Sequence, residues 1–199
     1  MNEKTWEFIT PGIPDERFIR GDIPMTKEEI RCLTLSRLRL KPDSHVVDVG
    51  AGTGTIAIES ALLLKRGRVT AVEKEAEGAR LIRENARVFG VENLKVICGR
   101  APEALEGLGP ADRIVIGGTG GSMEEILQAS RELLQPGGIL VLNCILLESL
   151  SRCLETLKQL DFSRVAVINV AISRGQALAG QTMLKPLNPV FILSAEKRG

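Results

Sequence analysis

Residues 46–54 read Val-Val-Asp-Val-Gly-Ala-Gly-Thr-Gly, and no other stretch restricts the fold so sharply. An apolar run of strand length enters a turn with glycine at every second position, and a helical pattern follows. That order brings backbone close to a nucleotide-like ligand at the end of a buried strand. Gly50 and Gly52 are expected to take positive φ and leave no Cβ between backbone and ligand, and Gly54 to let the next helix start close against the sheet. The spacing is G-x-G-x-G, not the G-x-G-x-x-G of dinucleotide-binding turns. A nicotinamide-dependent oxidoreductase is therefore disfavoured.

Around this stretch the chain alternates apolar strand runs with helical patterns. Strands are expected near 45–50, 68–73, 93–98, 112–117 and 138–144, spaced as in βαβ units. Runs this apolar are buried on both faces, which means a mostly parallel sheet covered by helices on each side. Thr26 and Glu29 have capping-box spacing before a helix with Ile30, Leu33 and Leu38 on its apolar face, and Pro42 ends it. Ser122 with Glu125 repeats the signal before Met123, Ile126 and Leu127. The charges of residues 74–87 fall off the apolar face and read as solvated surface. After a helix marked by Leu147, Leu150, Leu154 and Leu157, residues 165–172 and 190–193 read as a terminal antiparallel hairpin. Its connection, residues 173–189, is long for a hairpin loop, as functional loops often are.

The 199 residues make one domain, residues 1–199, with residues 1–25 as a Pro- and Gly-punctuated N-terminal arm. With 26 basic and 25 acidic residues there is no global charge to attract nucleic acid. No apolar run approaches membrane-spanning length and no secretory signal is apparent, so a cytoplasmic protein is expected, with neither a nucleic-acid nor a membrane partner. Cys32, Cys98, Cys144 and Cys153 lie far apart in apolar stretches and read as reduced core residues. No metal site is expected. His45 starts a strand at the end remote from the expected crevice and is assigned no catalytic role.

The carboxyl ends of the strands supply the candidate site. Glu73 follows Gly54 by 19 residues, where a carboxylate accepts hydrogen bonds from both ribose hydroxyls of a nucleoside. The Gly117-Gly118-Thr119-Gly120-Gly121 floor exposes backbone donors suited to a wide or anionic substrate. Glu148, in the first turn of a helix beyond the fifth strand, is a candidate proton donor or acceptor.

Asp48 with the G-x-G-x-G turn resembles the first motif of class I S-adenosylmethionine-dependent methyltransferases. More segments carry a closer resemblance: Pro11-Gly12-Ile13-Pro14-Asp15 with Phe18-Ile19 just before Arg20, Pro24-Met25-Thr26-Lys27-Glu28, Gly99-Arg100-Ala101-Pro102-Glu103-Ala104, residues 116–121 with the glycine floor, residues 143–150, and Arg174-Gly175-Gln176-Ala177-Leu178. Together they are similar to the decarboxylating cobalt-precorrin-6B methyltransferases of anaerobic cobalamin synthesis, over nearly the whole chain. The resemblance implies a Rossmann-like α/β fold with a seven-stranded, mostly parallel sheet and a C-terminal antiparallel hairpin. It implies S-adenosyl-L-methionine as cofactor, methylation of a tetrapyrrole meso carbon, loss of a neighbouring acetate carboxyl, and a homo-oligomer, a tetramer.

The same resemblance distributes the site residues. Thr26, Gly50, Ala51, Gly52, Thr53, Gly54, Glu73 and the backbone of Ala101 fall to the cofactor. Arg100 stands where the family commonly has Asp beside the adenine, and Glu103 is a possible substitute. Gly118, Thr119 and Gly120 fall to the substrate. Cations are needed for its peripheral carboxylates. Arg17, Arg20, Lys27, Arg174 and Lys185 are the candidates, with Arg20 and Arg174 preferred. A methyltransferase acting on RNA or protein remains open on the residues alone. The RNA version is disfavoured by the lack of an Asp/Asn-Pro-Pro-aromatic tetrapeptide after the fourth strand.

Overall fold

The apolar runs become strands in the computed structural model, which describes residues 6–199. In chain order they are β1 (His45–Val49), β2 (Arg68–Glu73), β3 (Leu94–Cys98), β4 (Ala111–Ile116), β5 (Leu134–Cys144), β6 (Phe162–Val170), β7 (Ser173–Leu178), β8 (Gln181–Pro186) and β9 (Val190–Lys197). Seven form one sheet of order β3-β2-β1-β4-β5-β9-β6, in which β9 alone runs antiparallel to its neighbours. The chain moves outward from β1 to β3, then returns to place β4 on the other side of β1. Diverging connections at that reversal open a crevice beyond the strand ends.

Strand periodicity assigns the two faces. Val47 and Val49 of β1 face α4 (Met123–Leu133) and α5 (Leu147–Gln159), in a core with Ile126, Leu127 and Leu157. The intervening Val46 and Asp48 face the layer of α1 (Glu28–Leu38), α2 (Thr55–Leu63) and α3 (Ala76–Val88). In β5, Ile139 and Val141 pack with Ile30, Leu35 and Leu38 of α1, so Asn143 follows them onto that same side. Every β1 residue is buried, as a strand sandwiched between two helical layers requires.

Several local expectations are corrected. Lys27, not Thr26, holds the cap position of α1, and no side chain of that residue closes the helix. The Glu28 amide instead donates to Asp15 Oδ1 at 3.0 Å, so a carboxylate from the arm satisfies the helix end. The helix stops at Leu38, because Arg39 turns left-handed before Pro42 is reached. Leu33 is exposed and Leu35 takes its place in the core. Ser122 does cap α4 by position but makes no side-chain bond there. The connection between the last two strands of the main sheet is not a plain loop, since β7 and β8 pair along their full length as a second hairpin. Among the cysteines, Cys153 is buried, Cys32 and Cys144 are half-buried and Cys98 is exposed; all four are unpaired. The charged face of α3 lies at the surface, where Arg80 bridges Glu77 and Glu84.

Candidate active site

A cavity of about 740 Å³ lies in the crevice beyond β1, β2, β4 and β5, within the roughly 300 to 1,000 Å³ common for small-molecule sites. The glycine turn forms one wall. Gly50, Gly52 and Gly54 have φ of 68°, 58° and 79°. The crowding that excludes larger residues comes partly from the protein itself. A Cβ on Gly50 would fall 2.5 Å from the Gly118 carbonyl oxygen, and one on Gly52 would fall 3.0 Å from that of Pro24. At Gly54 it would fall 2.8 Å from the Ile82 side chain, so this glycine fits α2 against α3, not against the sheet.

Glu73 ends β2 and is buried. Its Oε2 accepts the Gly52 amide at 2.8 Å and its Oε1 accepts the Glu75 amide at 2.9 Å. Two backbone donors thus aim the carboxylate into the cavity, and each oxygen retains a lone pair for a hydroxyl. Asp48 is more unusual. It lines the cavity, yet neither carboxylate oxygen has a hydrogen-bond partner among the described residues. Burial pushes its pKa up to about 7; the nearby Ala57 amide acts the other way, and the Glu73 charge adds to the rise. A buried, unpartnered carboxylate at a cavity wall is a site for a cationic group.

The arm is the opposite wall, and a buried ion network fixes it. Arg31 has no exposed surface. Its Nε donates to Glu59 Oε1 at 2.7 Å and its Nη1 to Asp15 Oδ1 at 2.6 Å. Nη1 also reaches the Thr26 carbonyl at 2.6 Å, and Nη2 donates to that of Ile13. The Gly12 amide closes the set on Glu59 Oε2 at 2.7 Å. Ile13 and Phe18 are buried beneath. Residues 23–27 are thereby held along the cavity. Burial opposes ionisation of Asp15, but Arg31 and Arg174 outweigh it and keep its pKa below the ordinary value.

The cavity brings together Thr26, Gly50, Ala51, Gly52, Glu73, Ala101, Gly118, Thr119 and Gly120. It does not bring in the rest. Thr53 is buried beneath the turn and Gly54 is packed as described. Arg20 and Glu148 are exposed outside the lining, where the α5 residue facing the cavity is Ser149, because the first turn of α5 points Glu148 to solvent. Arg174 is engaged elsewhere: it binds Glu29 at 2.6 Å and Asp15 at 3.1 Å. Lys185 and Glu103 are exposed outside the lining, and Arg17 sits against the Trp6 ring. Lys27 does line the cavity, as does Arg100, whose Nη2 donates to the Gly120 carbonyl at 3.1 Å. His45 is buried at the far end of β1 against Pro110 and Thr70.

Arg31 and Glu59 carried no motif in the sequence, and a charged residue inside an apolar helical pattern is their only trace. Asn143 heads residues 143–150, a segment that carries the family resemblance, but the sequence assigns no role to its side chain.

The model of the precorrin methyltransferase domain matches residues 17–197. The chain belongs to that family. Among precorrin methyltransferases it is 42% identical to a probable cobalt-precorrin-6B C(15)-methyltransferase (decarboxylating) of Saccharolobus solfataricus, covering 96% of this chain and 98% of the relative. Its identity to the Salmonella typhimurium cobalt-precorrin-6B C(15)-methyltransferase (decarboxylating) is 39%, covering 92% and 95%. Among solved structures, the precorrin-6y C5,15-methyltransferase of Geobacter metallireducens superposes with a TM-score of 0.90 at 35% identity, covering 95% of this chain and 99% of that one. The precorrin-8w decarboxylase of Methanobacterium thermoautotrophicum gives 0.87 at 35%, covering 92% and 98%. The seven-stranded architecture expected from the resemblance is the one observed in this precorrin methyltransferase.

Proposed function

We propose that this chain transfers the methyl group of S-adenosyl-L-methionine to a meso carbon of cobalt-precorrin-6B and removes a substituent carboxyl group, yielding cobalt-precorrin-7. The observation that carries the cofactor part is the unpartnered Asp48 carboxylate beside the glycine turn. The residues fit the cofactor in sheet order. Glu73 on β2 suits the ribose hydroxyls, Asp48 on the adjacent β1 suits the ammonium of the methionine portion, and the Ala101 backbone beyond β3 suits the adenine edge. Thr26 and the turn residues 50–52 close around the same space.

The sulfonium supplies an activated methyl group, so the chain's contribution is in-line positioning and exclusion of water. The Gly118-Thr119-Gly120 floor and the apolar wall of Ile116, Ile126 and Leu142 form a surface for a flat, largely apolar ring. Lys27 and Arg100 are the cations of the lining best placed for peripheral carboxylates, since Arg20 and Arg174 lie outside it. The reading includes a single domain with an anchored arm, a cytoplasmic location in keeping with four unpaired cysteines, and a homotetramer. Assembly is supported by the projecting β7–β8 hairpin, which exposes Leu178, Met183 and Leu184.

Incubation with cobalt-precorrin-6B and methyl-labelled cofactor, followed by mass analysis, tests the reaction. A product that gains one methyl group and loses carbon dioxide is expected. Failure to transfer label to this substrate would overturn the assignment.

A further inference from the structure

Among the described residues, the half of the cavity built by β5, α5 and the segments on either side of the β7–β8 hairpin contains no charged side chain. Its polar groups include Asn143, Ser149 and Asn188, set among Ile145, Leu146 and Leu187. That is an unexpected lining for a site whose substrate carries carboxylates. Resting on the function proposed above, we infer that this uncharged wall is where the departing carboxyl group is held, with Asn143 as the residue that holds it.

The orientation of Asn143 follows from one proton. The Thr34 hydroxyl is buried and donates to the Ile30 carbonyl at 2.7 Å. Having a single hydrogen, it accepts from Asn143 Nδ2 at 3.0 Å, and its 3.3 Å approach to Asn143 Oδ1 is left without a donor. The reverse placement of the amide would exchange the two atoms and bring the oxygen to the nearer, 3.0 Å position with no proton between it and the hydroxyl oxygen. One N–H of Asn143 is thus committed to Thr34, and the second N–H remains for a ligand in the cavity.

Sheet register puts this donor beyond the cofactor residues. Asp48 pairs with Val115 of β4, which pairs with Val141 of β5. Asn143 is therefore two strands over from Asp48, about 10 Å, and two residues nearer the cavity mouth, about 7 Å. Glu73 lies on the other side of Asp48, on β2. The line from Glu73 through Asp48 to Asn143 runs from the ribose end to the substrate end.

A neutral donor suits carboxylate loss. As the bond between the substituent methylene carbon and the carboxyl carbon breaks, its electron pair passes to the methylene carbon and the conjugated ring, and carbon dioxide departs. A proton from water then completes the methyl group. Charge leaves the carboxylate in the transition state, so a cation at that point would stabilise reactant more than transition state. A single amide N–H orients the group while its apolar surroundings withhold solvation. Thr34 is a positioning residue, since it acts through Asn143.

Carbon dioxide release and methyl gain are scored separately on cobalt-precorrin-6B for the wild type, Asn143→Asp, Thr34→Val and Thr34→Ser, with cofactor affinity measured by calorimetry to report folding. Asn143→Asp sets like charges together and is expected to lower the ratio of carbon dioxide released to methyl gained by about 10- to 100-fold, the effect of losing a hydrogen bond to a charged group, with cofactor affinity unchanged. Thr34→Val lowers the ratio less, and Thr34→Ser restores it. An unchanged ratio in a cofactor-binding Asn143→Asp variant would overturn this inference alone. Absence of both products with the wild type would overturn the proposed function and this inference together.

Discussion

The Arg31 guanidinium and the Asp15 carboxylate meet at 2.6 Å with Arg31 wholly excluded from solvent. Through this contact the arm becomes part of the cavity wall, because Asp15 also receives the Glu28 amide at the start of α1. The helix end, the arm and the pocket share one carboxylate.

Replacing Arg31 with Met strands the Asp15 and Glu59 carboxylates in the interior. Breaking one side of a buried pair costs about 3 to 5 kcal/mol, and chemical denaturation is expected to show a loss of that size. Cofactor affinity should fall as well, since residues 23–27 line the cavity. Arg174→Ala serves as the control. Its ion pairs are part-exposed, and such pairs contribute about 0 to 1 kcal/mol. A loss at Arg31 no larger than at Arg174 would refute the anchoring role.

Asp48 makes a pH-dependent prediction. Its folded pKa, about 7, lies above its unfolded value near 3.8. For a carboxylate raised in this way the folded state favours the protonated form, so stability of the cofactor-free protein declines as pH rises from about 4 to about 7. Asp48→Asn should remove that decline and be more stable than the wild type at pH 8. The same substitution should weaken S-adenosylmethionine binding, whose affinity in the wild type should grow as pH rises through about 7 and the carboxylate ionises. Thermal denaturation and calorimetry across pH 5 to 8 measure both; identical pH dependence in the two proteins would exclude Asp48 as the titrating group.

The glycine turn gives a graded test. Gly50→Ala places a methyl group 2.5 Å from the Gly118 carbonyl oxygen at a φ of 68°, which backbone cannot relieve without separating the two loops. It is expected to abolish cofactor binding and to lower the melting temperature. Gly52→Val meets the Pro24 carbonyl at 3.0 Å and intrudes on the cavity, so binding should fall while the sheet remains intact. Calorimetry with circular dichroism separates these outcomes, and wild-type affinity in a folded Gly52→Val protein would contradict the placement of the turn.

The strand-turn-helix reading of residues 46–54 needed only local information, since positive φ at Gly50 and Gly52 follows from glycine spacing and chain stereochemistry. Glu73 was legible for a similar reason: it ends the next strand at a fixed distance along the chain. Which cations line the cavity was less legible. Arg20 and Arg174 stand in segments that carry the family resemblance, yet charge alone does not reveal whether a guanidinium meets a ligand or an internal carboxylate. Arg174 is 145 residues from Glu29, its closest partner.

By itself the sequence determined the alternation of strands and helices, the glycine turn at the end of β1 and the family, because these depend on periodicity and on residues close together in the chain. Only the tertiary structure decided which charges face inward. Arg31, Asp15 and Glu59 form one buried network, the Asp48 carboxylate has no hydrogen-bond partner among the described residues, and Asn143 is oriented by Thr34 across 109 residues. Such pairings depend on through-space distance and local desolvation, which arise only when distant segments pack around the same cavity.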